Sequence, residues 1–340
     1  MTQSTNSDHT SAADGTDGSF RFGKSVLSGS LVLVLLGVSG FFAQRWFAPE
    51  VDQSEIKPIV INSSGSSLGQ KDSKAASKES TVVLSSGAIT ATIDQQMIDE
   101  AEHPFGPLLE IADLSIAEID KKYQDYTATL FSQVRLGEEL RGEKYLTCKI
   151  RHEQKAKPHV PFSVYTKFLK PKANVGQEAI WIQGQNDGKL IGHATGLLNL
   201  KRIPLDPDGA IAMEGNRYSI REIGFRNLLV KMKEFGVKDQ QYGECVVTLK
   251  RGIELNGRLC TTFEAVHPYK RKHFDFHIAR IYIDDERNIP IGYEGFLWPE
   301  TKGGEPVLLE RYFYTDIKLN VGLTDKDFDP GNEEYDYPRW

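Results

Sequence analysis

The spacing of apolar residues changes character several times along the chain, and each change predicts a different kind of segment. Residues 1–24 are polar, MTQSTNSDHTSAADGTDGSFRFGK, and predict a disordered tail. From Val26 to Ala43 the chain reads VLSGSLVLVLLGVSGFFA without a charge. At about 1.5 Å per residue this approaches the roughly 30 Å hydrocarbon core of a bilayer, so 25–47 is expected to hold one transmembrane helix. Residues 48–104 are rich in Ser, Gly and Lys and lack sustained periodicity, which predicts a flexible linker. A short helix near ATIDQQMIDEAEHP would end by Pro104. The folded domain is expected over 105–340.

That domain opens with a helical period. Leu108, Leu109, Ala112, Ile116, Ile119 and Tyr123 recur on one helical face, with Glu110, Asp113, Asp120 and Lys121 opposite. Alternating runs follow: DYTATLFSQVRL, KYLTCKIRHE, PFSVYTKFLKP, QEAIWIQG, GKLIGHATG, GECVVTLKRGIEL, GRLCTTFEAVHP, HFDFHIARIYID, PIGYEGFLWP and PVLLERYFYTDIKL. Asn186-Asp187-Gly188 and Asn256-Gly257 supply the positive φ angles of tight hairpins. One helix interrupts the strands, in SIREIGFRNLLVKMKEFG. Ser219 and Glu222 form a capping box, Ile223, Leu228 or Leu229, Met232 and Phe235 make the apolar stripe, and Gly236 is expected to stop it. The sum is an α+β fold: a large, curved antiparallel sheet, an unclosed half-barrel, with two to three helices on its concave side.

Charge and composition narrow the chemistry. Lys and Arg total 41 against 47 Asp and Glu, a net charge of -6, and no basic patch interleaves with aromatics, so nucleic acid is not an expected partner. Arg21 and Lys24 before the apolar run favour an N-terminus in the cytoplasm and an exported C-terminal domain, in the periplasm or outside. A cleaved signal is disfavoured by the poor site at Val38-Ser39-Gly40. The acids Asp284, Asp285 and Glu286 fall between two strands and are expected to be a turn facing water, not a carboxylate site. His273, Asp275 and His277 would share one strand face, but no further ligand accompanies them, so no metal and no cofactor is expected. No HExxH, G-x-S-x-G, CxxC or phosphate-binding glycine loop is present, which argues against an enzyme. In the hairpin at Asn256-Gly257, Cys260 falls opposite Ile253, which leaves Cys245 too distant for a disulfide with it; pairing of Cys148 with either stays open.

The runs PFSVYTKFLKP, GQEAIWIQGQNDGKLIGH, LDPDGAIAMEGNRYSIREIGFRNLL and ARIYIDDERNIPIGYEGFLWP, with YTDIKLNVGLTDKDFDP, resemble the bacterial family called domain of unknown function 1571, from about residue 105 to the end. The final third also resembles the wider LolA-like superfamily of periplasmic lipoprotein carriers, through a strand ending in I-D, a Pro-started strand, a Tyr-rich strand and a closing N-x-G-L-x-D-x-x-F-D-P. The resemblance implies an unclosed antiparallel half-barrel with helices in its concavity. It implies no particular activity.

Two kinds of function fit. In the first, the concave face receives lipid or lipoprotein acyl chains, lined by Phe162, Tyr165, Phe168, Trp181, Phe263, Phe274, Phe276, Phe296, Trp298 and Phe313. A fourteen-carbon chain would contribute about 11 kcal/mol before ordering costs. In the second, the domain is an envelope module that binds a protein or senses one, with Asn216, Arg217 and Tyr218 on its rim. An open, deep apolar concavity would favour lipid; one filled by the 219–236 helix would favour protein.

Overall fold

The structure is a computed structural model and describes residues 56–63, 89–156, 158–196 and 199–339. The tail, the apolar run at 25–47 and most of the expected linker lie outside the described residues. Among the described residues no helix is long and apolar enough to cross a membrane.

Among the described residues the domain is one antiparallel sheet of thirteen strands. In chain order these are β1 (Ile61–Ser63), β2 (Asp125–Leu136), β3 (Glu139–Leu140), β4 (Lys144–Arg151), β5 (Ser163–Lys170), β6 (Glu178–Ile182), β7 (Leu190–Gly192), β8 (Ile203–Leu205), β9 (Val246–Leu255), β10 (Arg258–Val266), β11 (Ile278–Asp284), β12 (Ile289–Leu297) and β13 (Val307–Leu319). They lie side by side as β1-β9-β10-β11-β12-β13-β2-β4-β5-β6-β7-β8, with β3 paired to β2. No pairing joins β8 back to β1 among the described residues, so the sheet is unclosed, as expected. Asn256 and Gly257, at φ 48° and 78°, turn the β9–β10 hairpin, and Cys260 stands opposite Ile253 as the loop length required. All three cysteines are free.

Three α-helices accompany the sheet among the described residues: α1 (Gln95–Glu100), α2 (Phe105–Lys122) and α3 (Phe225–Asp239). The last two pack on each other and on one face of the sheet, burying Phe105, Ile111, Ile119, Phe225 and Leu229 in the main core. Helix α1 instead lies at the β9 edge, where Gln95 bonds to the strand. The expected linker is therefore partly folded. Residues 61–63 add a strand to β9, and 89–100 cover its edge, because the polar side chains of Gln95, Thr90 and Asp94 satisfy backbone and turn groups there.

Helix α3 departs from its expected limits at both ends. The Ser219–Glu222 capping box is present, but it closes a single 3-10 turn over 220–222. The helix proper starts after Gly224, at φ 126°, and its first N–H groups are capped from the sheet: Gly224 donates to the Tyr314 hydroxyl at 2.9 Å and Phe225 to the Tyr126 hydroxyl at 3.0 Å. Stacking of Tyr126 on Phe225, at 4.0 Å, fixes that end. Gly236 does not stop the helix. It lies inside it, where a Cβ would come within 2.9 Å of Leu109 Cδ2, so its role is close approach of α2 and α3.

The acidic turn also differs from expectation. Asp284 does not face water; it is fully buried, held by Arg258 through bonds of 2.7 and 2.8 Å, and accepts the N–H groups of Glu286 and Arg287. Asp285 accepts from Thr261 and Thr90. Only Glu286 is exposed. The carboxylates build the turn rather than a site, and an arginine from the neighbouring hairpin made burial of Asp284 tolerable.

Candidate functional site

A small apolar cavity lies between the helices and the sheet. Phe105 and Leu108 of α2, Met232 and Phe235 of α3, and Phe263 and Ile281 of the sheet enclose a cavity of about 30 Å³. Small-molecule pockets run to about 300–1,000 Å³. The aromatics expected to line a single acyl pocket are not brought together. Phe263 and Phe276 do border the cavity. Phe313 is fully buried against Phe131, and Phe168 packs on the main core. Phe162 meets Trp181 edge-on at 5.9 Å. Tyr165 points the other way from Val164 and Phe168, as strand alternation requires, and stacks on Tyr335 in a second cluster with Phe328 and Tyr337. Phe296 lies under Arg280, Phe274 stacks on His267, and Trp298 donates its indole N–H to the His267 carbonyl.

The rim residues, by contrast, converge. Arg217 Nε approaches Glu310 Oε2 at 2.8 Å, while the hydroxyls of Tyr218 and Tyr312 donate to the same carboxylate at 3.1 and 3.3 Å. Glu310 is buried, and burial raises its pKa above the ordinary carboxylate value against the opposing pull of Arg217. Beside it Lys144 donates to the Gly215 carbonyl at 2.7 Å and to Asn216 Oδ1 at 2.8 Å. Burial draws this ammonium down to about 8. These groups clamp the 206–222 loop to β4 and β13, which accounts for their polarity without a ligand.

A third polar group closes the far end of α3. Asp239 Oδ2 lies 3.4 Å from His267 Nε2, both side chains almost wholly buried. Burial raises Asp239 to about 6 and lowers His267 to about 4. His267 Nδ1 sits 3.1 Å from the Phe276 carbonyl, so the ring holds the connection between β10 and β11 against the helix end. His273, Asp275 and His277 precede β11 rather than forming part of it: His273 stacks on Tyr242 at 3.7 Å, Asp275 pairs with Lys238, and His277 Nδ1 meets the His267 carbonyl. Their side chains have separate partners. No group of His, Cys, Asp and Glu among the described residues is arranged to hold a metal.

Comparison with known families gives a match over residues 123–337 to the family described as Protein of unknown function (DUF1571). The chain belongs to this family. No curated protein matches it. Solved structures to which it is similar include a DUF1329 family protein from Desulfovibrio piger, at 12% identity, covering 65% of this chain and 96% of that one, with a TM-score of 0.33. A putative outer membrane lipoprotein-sorting protein domain from Vibrio parahaemolyticus is similar at 12% identity, 65% and 95% coverage and a TM-score of 0.32. A LolA superfamily protein from Nitrosomonas europaea is similar at 10% identity, 64% and 97% coverage and a TM-score of 0.27. At these values the likenesses add nothing to the sheet order already described.

Within the DUF1571 region, the closing N-x-G-L run has a structural task. Asn320 accepts the Gln124 N–H and donates to the Lys122 carbonyl, and Asp125 accepts the N–H groups of Gly322 and Leu323. The chain end is thereby latched to the start of β2, and Phe328 is buried beneath Arg151. Glu310, Lys144 and the Asp239–His267 pair were not singled out by periodicity, because each sits in an ordinary strand or helix pattern. The signal available was a charged residue at an inward position, as at Glu310 between Leu309 and Phe313.

Proposed function

We propose that this DUF1571 protein is a membrane-tethered envelope module that engages a protein partner, with its charge-free run at 26–43 as the tether and the folded domain exported. One observation carries the reading: α2 and α3 pack on the face on which a lipid would lie, and the cavity between them and the sheet measures about 30 Å³. The polar groups next to that face hold a loop and a helix end in place, which supports a binding role. Photo-reactive residues placed singly at the exposed positions Leu114, Ile211, Val237 and Leu259 of the full chain test this in the envelope. A discrete protein adduct from at least one position is expected. No adduct anywhere, with lipid bound stoichiometrically, would overturn the reading.

The apolar lining of the small cavity favours a second reading, in which α3 swings out to admit an acyl chain. Exposing Phe225 and Leu229, both buried, would cost about 3–6 kcal/mol at about 1.5–3 kcal/mol each. A fourteen-carbon chain would return about 11 kcal/mol before ordering. The balance permits opening, but it requires a rearrangement that the protein-partner reading does not.

A further inference from the structure

We infer that the outer edge of β9 is a receiving site for an extended segment of the partner protein, and that β1 is an exchangeable stand-in for it. The inference rests on the protein-partner reading and names where that partner binds. An open strand edge presents rows of N–H and C=O groups that template another strand. Along the ten residues of β9 the only strand on this side among the described residues is β1, three residues long and exposed throughout. It pairs Ile61 with Leu255, Asn62 with Glu254 and Ser63 with Ile253. One further backbone bond runs from Asn256 N–H to the Val60 carbonyl, and Val60 N–H is answered by the Asn256 side chain.

Beyond β1 the edge is satisfied by side chains. Gln95 donates its Nε2 to the Val247 carbonyl at 3.0 Å and accepts the Leu249 N–H at 2.8 Å, so one side chain answers two outward-facing backbone groups of β9. A carboxamide is a peptide-like group, so the backbone groups of this stretch of β9 are met by a side chain where β1 has ended. Apolar side chains also stand in solvent here: Val246 is 57% exposed, Leu259 63%, Val60 44% and Ile61 40%. Ile56 and Ile59 pack on the core before β1, which confines the exchange to residues 60–63. The occupant is an extended segment longer than β1, with an apolar residue opposite Leu255; where its backbone reaches Val247 it displaces the Gln95 carboxamide.

The test uses the full chain carrying Asn62→Cys and Glu254→Cys, which face each other across β1 and β9, in a Cys245→Ser background. The probe is a labelled peptide of residues 58–66, the stand-in strand itself. Reduced protein is expected to bind it at least tenfold more tightly than oxidised, disulfide-locked protein. Ile61→Pro, which removes the internal competitor without a disulfide, is expected to tighten binding at least fivefold. Equal binding in the locked and reduced forms, or no gain from Ile61→Pro, would overturn the inference. If it fails while crosslinkers at Ile211 or Val237 still capture a discrete protein, the protein-partner reading survives; if no position captures one, both fall.

Discussion

Replacing Gly292 by alanine would put a methyl group where three side-chain atoms already crowd. A Cβ there would lie 2.7 Å from Phe313 Cδ1, 2.9 Å from Phe313 Cε1 and 3.0 Å from Leu255 Cδ2. Neither neighbour is a flexible tip in solvent: Phe313 is 0% and Leu255 1% exposed, and Phe313 is hemmed by Phe131 and Tyr282. Overpacking of this kind costs about 1–3 kcal/mol. Removing glycine from a strand interior returns roughly 0.5–1 kcal/mol. The net expectation is a loss of about 1–2 kcal/mol, or a melting point lower by roughly 2–8 °C for a domain of this size. Urea unfolding of residues 43–340, which form one compact unit, followed by two optical probes, reads the change directly. A loss below about 0.5 kcal/mol would show that β12, β13 and β9 are not close-packed there, and the argument from the filled core would weaken with it.

Gly236→Ala should act in the opposite direction. The helix interior gains about 1 kcal/mol, and the only close contact is the end of the half-buried Leu109, so a net gain of about 0.5 kcal/mol is expected in the same unfolding assay. Arg217→Met leaves Glu310 buried without its cation and should cost about 3 kcal/mol, whereas the double change with Glu310→Met should recover most of that in a double-mutant cycle. For Asp239 and His267, the sign follows from each shift. Asp239, raised to about 6, binds a proton in the folded state that the unfolded chain releases near 4, while His267, lowered to about 4, withholds one that the unfolded chain binds near 6.5. The two cancel between pH 4 and 6. Asp239→Asn should unmask His267, so that stability rises with pH across 4 to 6.5 with a slope approaching about 1.4 kcal/mol per unit; a flat profile in the variant would contradict the assignment.

The strands were legible because alternation over five or more residues has few other readings, and because Asn256-Gly257 dictates its own turn. What escaped was carried by partners distant in the chain. The start of α3 is set by the hydroxyls of Tyr126 and Tyr314, which no local capping pattern encodes. Gly236 reads as a stop signal until Leu109, on another helix, is known to press against it. β1 is three residues in a Ser-rich stretch and becomes a strand only because β9 offers an edge. The same logic explains the expected acyl pocket. Alternation itself parts Tyr165 from Phe168, and for Phe263 it says which face the residue takes and not whether helices have already covered that face.

The central claim is that the helix-covered face holds no preformed lipid site. Native mass spectrometry of residues 43–340, produced with an export signal and then offered a fourteen-carbon phospholipid in excess, tests it most directly. The account predicts a mass equal to the bare chain before and after addition. A reproducible lipid adduct, abolished by Phe276→Asp in protein that remains folded, would contradict it and make opening of α3 the function.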